Sequence, residues 1–151
     1  MYQKHVPFKD FGRGFYLTEN KEHAERMAVR VADRFGGNPN VSAFELSDEI
    51  FNDKALNILK FENPNKEWAL FVVNNRSLNF RDAENKLYNG NNKYDVVIGA
   101  VANDDLVSTF DLFRSGFMSI DDVVKQITYK NLTNQYSFHS EKAIAYLKAV
   151  E

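Results

Sequence analysis

Apolar residues recur along the chain at two different spacings, and each spacing predicts a different element. From Asn20 to Phe35, Ala24, Met27, Ala28, Val31 and Phe35 fall at i, i+3, i+4, i+7 and i+11, so they share one helix face and are expected to pack on the core. Asn20 is placed to cap that helix and Gly36-Gly37 to stop it. Trp68, Phe71 and Val72 predict a second helix, opened by Asn63-Pro64 with Pro64 at its first helical position. Asn103 opens a third, carrying Leu106, Val107, Phe110 and Phe113, which Ser115-Gly116 ends. Ser119-Ile120-Asp121-Asp122 reads as a capping box with Asp in place of Glu, ahead of a helix presenting Ile120, Val123, Val124 and Ile127. Ser140 caps a last predicted helix with Ala143, Ile144 and Leu147 on one face.

Strand-type runs lie between these helices, at Phe15–Thr18, Val41–Leu46, Ala55–Phe61, Tyr94–Val101 and Gln135–His139. Tyr94–Val101 is almost continuously apolar, which predicts a strand buried on both faces. It is expected to pair with Phe15–Thr18 and Gln135–His139 in a common β-core. Met1–Lys9 reads as a lead-in, and the polar stretch Ser77–Lys93 predicts a surface loop. Interrupted strands mixed with helices make the fold class α+β.

Composition narrows the function classes. A chain of 151 residues suits one domain. The 13 Phe and 7 Tyr are an excess that fits an aromatic core or a stacking site. A net charge of −2 gives no overall basic field for nucleic acid. With no cysteine there is no thiol nucleophile or thiolate metal site, which fits a reducing compartment. No apolar run reaches the length of a membrane span, and no signal-peptide core is visible, so a cytoplasmic location without a membrane partner is expected. His5, His23 and His139 lack ligand spacing, and Asn103-Asp104-Asp105 and Asp121-Asp122 read as helix-start charges, so no metal is expected. Lys21, Arg26, Arg30 and Arg34 alternate with Glu22, Glu25 and Asp33, as on a solvated helix face.

The stretch Asp10–Thr18, DFGRGFYLT, holds the candidate chemistry. Gly12 and Gly14 flank Arg13, and glycines so spaced permit positive φ or the close approach of another group. By itself this is a turn feeding a strand. The longer run FGRGFYLTENKEHAERMA, Phe11 to Ala28, resembles a segment of the ADP-ribosyltransferase superfamily that includes the poly(ADP-ribose) polymerases. Asp10–Thr18, Tyr94–Gly99, Asn103–Asp105 and Gln135–Phe138 together are similar to four motifs of an uncharacterised bacterial branch of it.

That resemblance implies a single domain over 1–151, with a split mixed β-core of two small sheets, surrounding helices and a cofactor cleft between the sheets. It implies NAD as substrate, transfer of ADP-ribose to an unknown macromolecular or small-molecule acceptor, and release of nicotinamide. Tyr16 would stack on the nicotinamide. Met27 matches the position that covers the opposite ring face, and it also lies on the predicted core face of its helix. Arg13 would contact the pyrophosphate, with Gly14 admitting the cofactor close to the backbone. Gln135 stands where the polymerases carry a glutamate that holds the ribose 2′-OH and stabilises the oxocarbenium-like state. The amide keeps an acceptor oxygen but lacks the charge. A first-strand histidine or arginine beside a glycine has no match here, so the family's first strand is expected to be missing at the N-terminus. The alternative is therefore an inactive NAD- or protein-binding module on the same fold. Standalone bacterial proteins of this kind look like toxins or conflict-system effectors, which by analogy implies an antitoxin-like or other protein partner.

Overall fold

The aspartate of the DFG turn and the strand it feeds fall within nine residues, Asp10–Thr18, and the rest of the architecture is set by what that strand pairs with. The structure, a computed structural model, describes residues 9–76, 89, 93–128 and 132–150. In chain order they form β1 (Phe15–Thr18), α1 (Lys21–Phe35), β2 (Ala43–Leu46), a 3₁₀ helix (Asp48–Asn52), β3 (Ile58–Lys60), α2 (Lys66–Arg76), β4 (Val96–Ala100), α3 (Asp104–Arg114), α4 (Ile120–Thr128), β5 (Asn134–Phe138), α5 (Glu141–Ile144) and β6 (Leu147–Val150).

The fold is α+β with two small sheets. Four strands run in the order β1-β5-β4-β3, and β2 pairs with β6 in a separate two-stranded sheet. β5 is antiparallel to both β1 and β4, whereas β3 and β4 are parallel and joined through α2. A parallel pair needs such a crossover, because its strand ends lie at opposite edges. The expected common β-core of Phe15–Thr18, Tyr94–Val101 and Gln135–His139 is therefore present, trimmed at its ends.

β4 is buried along its whole length, as its continuous apolar run requires. One sheet face meets Trp68, Phe71 and Val72 of α2, Leu106 and Phe110 of α3, and Val123 and Ile127 of α4. The other meets Ile50, Leu56 and Ala143. Each fully buried large side chain contributes about 1.5–3 kcal/mol. Trp68 anchors α2 further by donating from Nε1 to the Ala100 carbonyl at 3.0 Å. At Gly99 a Cβ would stand 3.2 Å from both Phe11 Cζ and Phe61 Cδ2, so the bare backbone lets these rings close on β4.

Several elements differ from the sequence reading. α1 forms where expected, with Asn20 Oδ1 accepting from the His23 N–H, but it has no buried residue. Met27 is 43 % exposed and Phe35 65 %. β1 is the terminal strand of its sheet, so the helix that leaves it runs along the margin and joins neither buried cluster. α2 begins after Pro64, and Asn65 caps it by accepting from the Trp68 N–H at 2.9 Å. Leu147 belongs to β6 rather than to the last helix, because pairing with β2 draws it out. The loop expected over 77–93 lies outside the described residues apart from Asn89 and Lys93, as does the lead-in apart from Lys9. Among the described residues no helix is long and apolar enough to cross a membrane.

Candidate functional site

In the β1–β5 register Tyr16 opposes Ser137 and Thr18 opposes Gln135. Residues two apart on a strand share a face, so Tyr16 and Gln135 lie on the same face of the sheet. That face is not an open cleft. Its polar groups are bonded to one another beneath α2 and the DFG turn.

Asp10 is at the centre. It is 5 % exposed, and a buried carboxylate requires partners. Among the described residues it has three: Arg76 Nη1 at 2.6 Å, the Ala102 N–H at 2.9 Å and Gln135 Nε2 at 3.1 Å. An ionised carboxylate only accepts, so the Gln135 amide turns its nitrogen to Asp10. Four separate parts of the chain are thereby fastened at one carboxylate: the turn before β1, the end of α2, the segment after β4, and β5. Asn75 and Asn89 complete the fastening. Asn75 Nδ2 donates to the Asp10 carbonyl at 3.2 Å, its Oδ1 accepts from the Asn89 N–H at 2.7 Å, and Asn89 Nδ2 donates to the Phe11 carbonyl at 3.3 Å. Asn89 is 1 % exposed, so this point of the expected surface loop is buried.

Tyr16 closes the turn from the other side. Its hydroxyl accepts from the Phe11 N–H at 3.0 Å and donates to the Gly12 carbonyl at 2.5 Å. The positive φ of Gly12, 88°, lets the turn close on it. Burial pushes the phenol well above its ordinary range. The ring lies nearly parallel to Phe11, with centroids 6.3 Å apart, and meets His139 edge-on. The Lys9 ammonium stands over the ring, 4.8 Å from its centroid, and burial lowers that lysine's pKa. A cation on a tyrosine face is attracted by the ring quadrupole.

Gly14 admits the chain's own groups. A Cβ there would lie 2.6 Å from His139 Nδ1 and 2.7 Å from the Phe138 carbonyl. His139 Nδ1 donates to the Arg13 carbonyl at 2.7 Å, since a carbonyl only accepts, and Nε2 lies 2.8 Å from Ser137 Oγ. Burial holds the imidazole pKa below its ordinary value. Ser137 is fully buried and His139 nearly so, and this serine–histidine pair braces β5 against the turn.

The structure thus brings Tyr16, Gly14 and Gln135 together and leaves two candidates aside. The Arg13 side chain is exposed. Met27 is half-exposed on α1, outside both buried clusters. Sequence reasoning missed Asp10 as the hub, with Arg76, Asn75, Asn89, Ser137, His139 and Lys9 around it. One signal was present: Gln135, Ser137 and His139 alternate with Tyr136 and Phe138, which marks a polar face on a strand in the interior.

An open groove of about 260 Å³ lies between the two sheets, on the opposite face. The strand register points Leu17 and Tyr136 into it instead of their neighbours Tyr16 and Gln135.

Residues 1–149 match a family model described as "Protein of unknown function (DUF3990)". No curated protein and no solved structure matches the chain.

Proposed function

We propose that this chain, which belongs to the DUF3990 family, is an ADP-ribosyltransferase-like domain that takes NAD, transfers ADP-ribose to an acceptor and releases nicotinamide. The observation that carries this reading is the Lys9 ammonium over the Tyr16 ring, on the sheet face that also holds Gln135. Nicotinamide in NAD is a flat cation, and the ring that would stack on it already holds a cation 4.8 Å away. Displacing Lys9 frees that face. The cation on the Tyr16 ring is what supports the nicotinamide end of this reading. For the pyrophosphate the turn offers Arg13, whose exposed guanidinium supplies charge-assisted donors. Bound NAD would supply the scissile glycosidic bond. Tyr16 would orient the ring, and Gln135, once turned from Asp10, would present its amide oxygen to the ribose.

A second reading, a module that binds NAD or a protein without turnover, is favoured by a specific observation. The Gln135 amide and the Tyr16 hydroxyl are both already engaged inside the domain.

Titration of NAD into the wild type, Lys9→Met and Tyr16→Ala, with nicotinamide release followed on the same samples, tests both. The transferase reading expects binding and release. It expects tighter binding in Lys9→Met by about 0.5–1 kcal/mol, the worth of one competing cation on the ring. Tyr16→Ala should weaken binding by about 1–3 kcal/mol. Binding without release supports the module. Absence of binding in all three overturns both NAD readings.

A further inference from the structure

The groove between the sheets has a chemistry of its own. Phe44, Phe51 and Tyr136 wall it with aromatic surface, and Glu19 and Asp48 stand at its rim. Phe51 is 48 % exposed, so its ring is open to a ligand in the groove. Both carboxylates are exposed, and among the described residues neither takes part in an ion pair. Glu19 accepts a hydrogen bond from the Tyr136 hydroxyl. Burial, that bond and the nearby Asp48 charge push the Tyr136 phenol up to about 12, so the two carboxylates act on the same spot.

Aromatic faces and paired carboxylates suit an organic cation and repel the phosphates of a dinucleotide. The groove also runs beside Leu17, Thr18 and Glu19, at the end of β1. β1 pairs only with β5, so its other edge is free among the described residues. A free edge offers backbone donors and acceptors to an extended peptide, which a small amine does not use.

We propose that the groove is a docking site for a basic peptide segment, which lies along β1 and places an arginine or lysine side chain between Tyr136, Phe44 and the two carboxylates. This does not rest on the NAD reading, because the groove lies on the other face of the sheet.

The test uses a fluorescein-labelled peptide of alternating valine and arginine, its valine–glutamate counterpart, and free agmatine. The arginine peptide is expected to bind the wild type, and binding should weaken as NaCl rises from 50 to 300 mM. Glu19→Gln/Asp48→Asn should lose roughly tenfold in affinity. Phe51→Ser, at an exposed position that leaves the fold intact, should lose several-fold. The glutamate peptide should not bind. The proposal is overturned if the arginine peptide fails to bind, or if folded Glu19→Gln/Asp48→Asn and Phe51→Ser bind it as the wild type does. Agmatine binding as tightly as the peptide overturns the docking along β1.

Discussion

Gln135 donates a hydrogen bond to Asp10 across 125 residues of chain, at 3.1 Å and out of solvent. The polar residue to which the resemblance assigns a catalytic role is thus also the anchor of the turn that opens the fold. Asp10 holds Arg76 at 2.6 Å and the Ala102 N–H at 2.9 Å through the same carboxylate.

Removing that carboxylate should be felt in all three places. Asp10→Ala is expected to destabilise the domain by about 3 kcal/mol, the lower end for a broken buried pair, because the Arg76 side chain is 30 % exposed and partly rescued by water. Gln135→Ala should lose about 1.5–3 kcal/mol, the worth of a hydrogen bond to a charged group. The double variant should fall short of the sum by about 1 kcal/mol, since the two share one contact. Urea denaturation of the three variants measures this. Additive losses would mean that the contact does not couple the two residues.

The central strands were legible because burial on both faces leaves a continuous apolar run at Val96–Ala100, and because capping residues sit where they act at Asn20, Asn103, Ser119 and Ser140. What α1 packs against was not legible. Period 3.6 reports that one face is apolar, not that a partner lies over it. β6 was hidden for a similar reason, since Ala143, Ile144 and Leu147 also satisfy a helical spacing and only pairing with β2 separates them. The Asp10 hub could not be read either, because its contacts join residues far apart in sequence, and local pattern carries no information about them.

The exposed face of α1 makes a direct prediction. Met27→Ser and Phe35→Ser should each change stability by less than about 0.5 kcal/mol, as exposed positions do. Phe71→Ala, in the buried run of α2 from Trp68 to Asn75, should lose about 3–5 kcal/mol. Thermal and urea unfolding of the three variants decides the matter. A loss of 2 kcal/mol or more at Phe35 would contradict its exposure.

Acid sensitivity should come from His139. Burial lowers its folded pKa below the ordinary 6.5, so the unfolded chain binds more protons than the folded one just below that pH. The stability it supports is therefore full above about pH 6.5 and is lost as pH falls towards the folded pKa, with no further loss below it. His23 is shifted the same way by burial and by Arg26 and Arg30, so His23→Gln removes its share. Stability of that variant should still decline between about pH 6.5 and 5, before carboxylates titrate. Ring-proton NMR should show His139 titrating below 6.5. A flat profile with His139 titrating at or above 6.5 would contradict a neutral, buried imidazole.

The sharpest prediction concerns charge at position 135. In Gln135→Glu a new carboxylate would face Asp10, 3.1 Å from the present amide nitrogen's partner. Two carboxylates so placed do not both ionise, so the new group's folded pKa rises above its unfolded value of about 4.3. Its proton is bound more tightly in the folded state. The variant should thus be close to wild type near pH 5 and lose about 2–4 kcal/mol as pH rises through the raised pKa towards 8. Asp10→Asn/Gln135→Glu reverses the pair: the amide now donates from position 10 and the carboxylate sits on β5. This double variant should recover at least half of the lost stability at pH 8. It also presents the negative charge that an oxocarbenium-like centre needs, so its nicotinamide release should exceed that of the wild type. A double variant that is folded, binds NAD and releases no more nicotinamide than the wild type would remove position 135 from the chemistry. The hydrogen bond to Asp10 would then be the whole reason for glutamine at that position, and the binding module would be the better account of the domain.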